Sequence, residues 1–213
     1  MKFCTLYVIR HGQSEANRDN ICAGQMDSSL SELGVQQAKE AKQVLSKIHF
    51  DAVYSSDLQR ASKTAAIISG KPVSPEHQLA DLRERNSGKL QGGSNDKWID
   101  LIKQFDEKYG TLPLEERWKH SYADYVEGNG PLYARFLKAL QGIAREHAGK
   151  TVLVSTHAGC IRATLVKLGY AEETALPPRS FDNAAYIVLA CDGQKLTLER
   201  VTGVHLARPS RSE

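Results

Sequence analysis

The stretch "FCTLYVIRHGQSEAN", residues 3–17, runs a nearly continuous apolar segment into Arg10, His11 and Gly12 and stays polar as far as Asn17. The run over 3–9 is rich in β-branched and aromatic residues, the pattern of a strand covered on both faces, and it predicts a central strand of a layered α/β sheet. Arg10 and the residues after it then lie at that strand's carboxyl end, where open α/β sheets form their ligand crevice. A cation beside an imidazole at such a place orients an anion and disfavours the protonated ring. Histidine, with an ordinary pKa of about 6.5, then has its nucleophilic form available at pH 7. Gly12 is expected to let the backbone turn sharply and approach that anion.

Outward from this strand the pattern alternates. In "SSLSELGVQQAKEAKQVLSKI", residues 28–48, Leu33, Ala38, Ala41, Leu45 and Ile48 recur at helical steps, with Ser31 or Ser29 placed to cap the start. "AVYSS", 52–56, reads as a second strand, and Asp57 is expected to cap a helix through "LQRASKTAAIIS" that stops before Gly70 and Pro72. "TVLVST", 151–156, is another buried strand, followed by a helix over "GCIRATLVKLG", 159–169. "NAAYIVLACDGQKLTLERV" folds into an antiparallel hairpin about Asp192 and Gly193. The fold class is therefore α/β, a mixed, mostly parallel central sheet with helices on both faces.

Residues 91–135 break the rhythm: "GGSNDKW", "YGTLP" and "EGNGP" are loop signals between short helical pieces. We read this segment as an inserted helical and loop cap within a single domain over 1–213. Trp98, Trp118, Tyr122 and Tyr125 are expected to pack within it, with direct contact to substrate as the other reading.

Composition narrows the partners. The 213 residues are 41% apolar and 25% charged with a net charge of +3, ordinary globular usage. No Lys or Arg run with interleaved aromatics marks a nucleic-acid surface. No segment reads as a targeting peptide or a membrane span, and Cys4, Cys22, Cys160 and Cys191 show no disulfide or CxxC spacing, so a cytoplasmic protein with reduced thiols is expected. His49, His77, His120, His147 and His205 lack ligand spacing, and no metal site is expected. The glycines of "LQGGSN" lack the Lys-Ser/Thr ending of a P-loop and read as ordinary loop.

Two strands end in a histidine, His11 after the first and His157 after "TVLVST", a coincidence that points to chemistry more than to packing. Here the sequence resembles a known family. "RHGQSEAN" resembles the RHG signature of the histidine phosphatase superfamily, or phosphoglycerate mutase-like family, and "LSELGVQQA", "VYSSDLQRASKTA", "LRERNSGKLQG" and "VSTHAGCIRA" follow in that family's order. The resemblance implies a phosphoglycerate mutase-like fold and a phosphohistidine formed on His11 during turnover. It implies that Arg10, Arg60 and His157 surround the transferred phosphoryl group, that Asn17, with Gln13, Ser14 and Gly24, binds the same group, and that Glu84 is the proton donor. Phosphoryl transfer needs positioning and charge stabilisation, which guanidinium and imidazole groups supply without a metal. A leaving alkoxide needs a proton, which a carboxyl beside a dianionic phosphate can carry. In an extended segment the neighbours of Glu84, Arg83 and Arg85, would face away from it.

The resemblance implies an enzyme, a phosphoric monoester hydrolase acting on a small phosphorylated metabolite with no cofactor. The segment between Glu84 and His157 is shorter than the insertion typical of cofactor-dependent mutases, and "SSDLQRASKTA" resembles the phosphatase branch. The alternative is a phosphoglycerate mutase dependent on 2,3-bisphosphoglycerate; a second is a non-catalytic phosphate-binding module. "VEGNGPLYARFLKAL" departs from the "GES" stretch of many phosphatase members, with Glu127 displaced and Pro131 where the acidic and hydroxyl positions would begin. The substrate end of the pocket is expected to differ accordingly.

Overall fold

The computed structural model describes residues 2–207. Its elements run β1 (Cys4–Arg10), α1 (Glu15–Arg18), α2 (Glu32–Val44), β2 (Ala52–Ser55), α3 (Gln59–Ser69), α4 (Asn95–Tyr109), α5 (Leu114–Arg117), α6 (Asn129–Glu146), β3 (Thr151–Thr156), α7 (Ala158–Lys167), β4 (Phe181–Cys191) and β5 (Leu196–Val204). The five strands form one sheet in the order β2-β3-β1-β4-β5. β1 and β2 both pair parallel to β3, while β4 pairs antiparallel to β1 and β5 antiparallel to β4. The sheet is mixed, as the alternating strand and helix signals followed by a hairpin require, and β1 lies at its centre with a partner on each side.

Helices cover both faces. Alternate side chains of β1 divide between them: Leu6 and Val8 join the larger core with Phe136 and Leu140 of α6 and Ile161 and Leu165 of α7. Ile9 joins the smaller core with Ala41 of α2 and Ala65 and Ile68 of α3. A third apolar cluster stands apart, with Phe105 of α4 against Cys22, Leu90, Tyr122 and Val126. Its residues belong mostly to the segment between 91 and 135, whose principal element, α4, is a fifteen-residue helix rather than a short piece. The boundary at 135 falls inside α6, which begins at Asn129.

Local readings met tertiary competition in two places. Ser31 caps α2, its hydroxyl accepting from Gly34 N, but Leu33 is 52% exposed and the buried stripe runs through Gly34, Ala38 and Ala41. Gly34 takes the inward place because this turn packs against the loop after β1. Asp57 does not cap α3: it accepts a bidentate pair from Arg83 at 2.7 and 2.5 Å, while Gln59 N at the helix start donates to Asp27 Oδ1 at 2.9 Å. A charge-assisted fork outcompetes a single N-cap bond. The four cysteines are free and buried, and among the described residues no helix is long and apolar enough to cross a membrane.

Candidate active site

β1 and β3 run side by side with Arg10 opposite Thr156, and His11 N extends the ladder by donating to Thr156 O at 3.0 Å. The next residue on each strand is therefore a histidine at the same level, and the two imidazole centroids stand 5.0 Å apart. His11 Nδ1 lies 2.6 Å from Gly12 O. A carbonyl only accepts, so Nδ1 carries the proton and Nε2 keeps the lone pair in the neutral ring. Gly12 serves close packing instead of a sharp turn: a Cβ there would overlap Gly34 O, and its N–H donates to Thr64 Oγ1 at 3.1 Å.

The surroundings are cationic. Arg60 of α3 is 2% exposed and donates to Met26 O at 2.8 Å and Gly24 O at 2.7 Å, while Arg10 donates to Phe181 O and its Nε has no protein partner. Neither guanidinium forms an ion pair among the described residues, unlike Arg83 with Asp57 or Arg117 with Glu173. Burial lowers the Arg10 guanidinium to about 10 and pulls Arg60 down as well. Burial first, then Arg60, and then Arg10 for one ring and its fellow imidazole for the other, hold His11 and His157 well below the ordinary histidine range. Both rings are therefore neutral at pH 7. His157 is fully buried with both ring nitrogens unpartnered by protein. A buried guanidinium at Arg60 and a half-buried one at Arg10, neither in an ion pair among the described residues, together with an unpartnered imidazole make a site complementary to an anion.

Glu84 closes the arrangement from the sheet's carboxyl end. Its Oε1 accepts from Arg85 N at 2.7 Å and its Oε2 from Gly159 N at 3.0 Å, in the first turn of α7. A Cβ at 159 would overlap Glu84 Oε1, so a glycine is needed for this approach. The neighbouring arginines do point elsewhere: Arg83 goes to Asp57, and Arg85 donates to Glu127 O at 2.5 Å and Asn129 Oδ1 at 2.6 Å.

Residues 81–86 are also clamped from α6. Arg135 donates to the carbonyls of Asp81, Arg83 and Glu84 at 2.9, 2.7 and 2.9 Å. Glu127 pairs with Arg135 at 2.7 Å and accepts from Asn86 N at 2.9 Å. Its two partners hold the Glu127 carboxylate below the usual range against the opposing effect of burial. The acidic residue expected to be displaced thus braces the backbone that carries Glu84.

Arg10, His11, Arg60 and Glu84 line a cavity of about 720 Å³, together with Gln13, Asn17 and Gly24; His157, fully buried 5.0 Å from the His11 ring, is not on its wall. Asn17 Oδ1 accepts from Ser14 N at 3.3 Å, which leaves its Nδ2 as the donor for a ligand. Ser14 is not on the cavity wall: it is fully buried and its hydroxyl caps α1 by accepting from Asn17 N. The wall also contains Trp98 of α4, for which contact with a ligand was the other reading from sequence, and residues not singled out there, among them Ile99 and Ile102 of α4 and Pro177 and Pro178 before β4. The signal that could have found Ile99 and Ile102 is the amphipathic pattern of α4, which fixes a face but not what that face meets. Trp118 and Tyr122 are buried in packing, whereas Tyr125 is exposed with Lys89 over its ring. Among the described residues no group of His, Cys, Asp or Glu gathers as a metal site.

Comparison with known proteins identifies relatives over most of the chain. Residues 6–203 match the model of the histidine phosphatase superfamily (branch 1). A metal-independent phosphoserine phosphatase of Arabidopsis thaliana is 33% identical over 169 residues, 76% of this chain and 68% of that one. A 2,3-bisphosphoglycerate-dependent phosphoglycerate mutase of Xanthobacter autotrophicus is 33% identical over 199 residues, 88% of this chain and 92% of that one. The crystal structure of phosphoglycerate mutase from Bacillus anthracis superposes with a TM-score of 0.74 at 28% identity, covering 94% of this chain and 93% of that one.

Proposed function

This chain belongs to the histidine phosphatase superfamily, and from that premise we propose that it hydrolyses a phosphomonoester of a small metabolite through a phosphohistidine on His11, without a metal. The observation that carries the reading is the hydrogen bond from His11 Nδ1 to Gly12 O, which leaves a neutral Nε2 lone pair near the Arg60 and Arg10 guanidinium groups. Nε2 attacks phosphorus and the P–O bond to the leaving group breaks. Arg10, Arg60, His157 and Asn17 bind the equatorial oxygens as charge spreads over them. The Glu84 carboxyl gives its proton to the leaving oxygen, and the carboxylate so formed is held by Arg85 N and Gly159 N. Water then attacks the phosphohistidine, Glu84 takes one of its protons, and orthophosphate leaves with His11 restored.

The similarity to a metal-independent phosphoserine phosphatase supports hydrolysis. Phosphoglycerate mutase is the second reading, favoured by the relative that matches 88% of this chain. Incubation with 4-nitrophenyl phosphate, with phosphoserine and with 3-phosphoglycerate, with and without 2,3-bisphosphoglycerate, separates the two. Release of orthophosphate without the bisphosphate is expected; interconversion of 3- and 2-phosphoglycerate that depends on the bisphosphate would establish the mutase. Release of nothing and isomerisation of nothing would leave a binding module.

A further inference from the structure

The cavity extends beyond the space a phosphoryl group needs, and its volume of about 720 Å³ falls among pockets that hold drug-sized ligands, roughly 300–1,000 Å³. Trp98, Ile99 and Ile102 line it from neighbouring positions on one side of α4, and Pro177 and Pro178 line it from the loop before β4. The indole is fixed before any ligand arrives. Tyr122 stands edge-on to it at 4.8 Å, and the Arg85 guanidinium lies 5.4 Å from the ring. Arg85 is itself tied to Glu127 O and to Asn129 Oδ1, and Asn129 Nδ2 donates to Tyr122 OH at 2.9 Å. A rigid aromatic surface beside short aliphatic side chains binds flat apolar groups with little loss of conformational freedom.

The cations named along the same wall each have a protein partner. Arg18 makes a bidentate pair with Asp19 at 2.8 and 3.0 Å. Arg162 donates to Leu176 O, Glu173 O and Glu173 Oε1. Arg179, on the exposed loop, donates to Asn20 Oδ1 at 2.8 Å. A second anionic group on the substrate would have to compete with these partners, while a neutral ring displaces none of them.

Resting on the hydrolytic reading above, we propose that the substrate is a phosphomonoester whose leaving alcohol is uncharged and carries a flat apolar ring, which packs against Trp98 and Ile102. Small acyclic phospho-acids are then the poorer substrates. The test uses 2-naphthylmethyl phosphate, propyl phosphate and 3-phosphoglycerate. The first two release alcohols of near-equal acidity, so leaving-group chemistry does not decide between them. We expect kcat/KM for the naphthylmethyl ester to exceed each of the others by at least about tenfold, mainly through KM. Trp98→Ala is expected to shrink the naphthylmethyl to propyl ratio by about tenfold, and Trp98→Phe to keep most of it, which controls for folding. Hydrolysis of all three without that preference, or a ratio unchanged in Trp98→Ala, overturns the apolar subsite and leaves the hydrolase standing. Hydrolysis of none overturns the hydrolytic reading and the subsite with it.

Discussion

Replacing Arg10 with methionine should make the protein more stable while destroying its activity. Burial holds the Arg10 guanidinium at about 10 instead of 12.5, so keeping it charged at pH 7 costs about 3 kcal/mol. The sign follows from the depressed value of a base: the cost is complete below about pH 10 and is relieved only as the group deprotonates above it. Methionine fills a similar narrow volume without charge, but Phe181 O loses its donor, a loss of about 1–2 kcal/mol. The net gain is about 1–2 kcal/mol, a rise in Tm of roughly 2–8 °C for a chain of this size. Calorimetry and urea unfolding at pH 7 in phosphate-free buffer measure it. Orthophosphate at one hundred times its Kd should add about 2.7 kcal/mol to the parent, and the same concentration distinctly less to the variant. Turnover should fall by about a hundredfold or more, as when a charge-stabilising donor is removed. A variant that melts below the parent in phosphate-free buffer would refute the reasoning, because Arg10 would then be a net structural support and not a held cation.

The depressed histidines make a second expectation. His11 and His157 stay neutral in the native protein while they protonate in the unfolded chain below about pH 6.5, so unfolding free energy should fall as pH drops through 6.5, at up to about 1.4 kcal/mol per pH unit for each ring. Unfolding at a series of pH values checks this, and the slope should weaken in His157→Gln. Glu127→Gln should reduce kcat for alkyl phosphates by about tenfold and for 4-nitrophenyl phosphate much less, since a good leaving group needs no proton from Glu84. Equal losses on both substrates would mean that the clamp of Arg135 and Glu127 supports the fold without positioning Glu84. Addition of EDTA should leave turnover unchanged, measured by orthophosphate release.

What could be read from the sequence depended on the range of the interaction. β1 and β3 were legible because a strand covered on both faces must be apolar along its length, and the polar residues at their ends mark where cover stops. The meeting of His11 with His157 followed from that topology, since parallel neighbours bring equivalent ends together. Ser31 was legible as a cap because a cap acts over three residues. Asp57 was not, because its alternative partner, Arg83, is 26 residues away. The same reason hid the bracing role of Glu127, whose contacts with Asn86 and with the segment carrying Glu84 span more than forty positions. The loop signals of residues 91–135 hid the length of α4, and with it the turn of Trp98, Ile99 and Ile102 towards the cavity. Ser14 resembled a phosphate ligand, yet a capping box with Asn17 consumes its hydroxyl.

Chemical quench of the protein during turnover of a phosphomonoester, followed by mass analysis of its peptides under alkaline conditions, is the most direct test of His11 Nε2 as the nucleophile. One acid-labile phosphoryl group should appear on the peptide containing His11 and be absent from His11→Ala, which should not turn over. A phosphoryl group on any other residue, or hydrolysis by His11→Ala at the parent's rate, would contradict it.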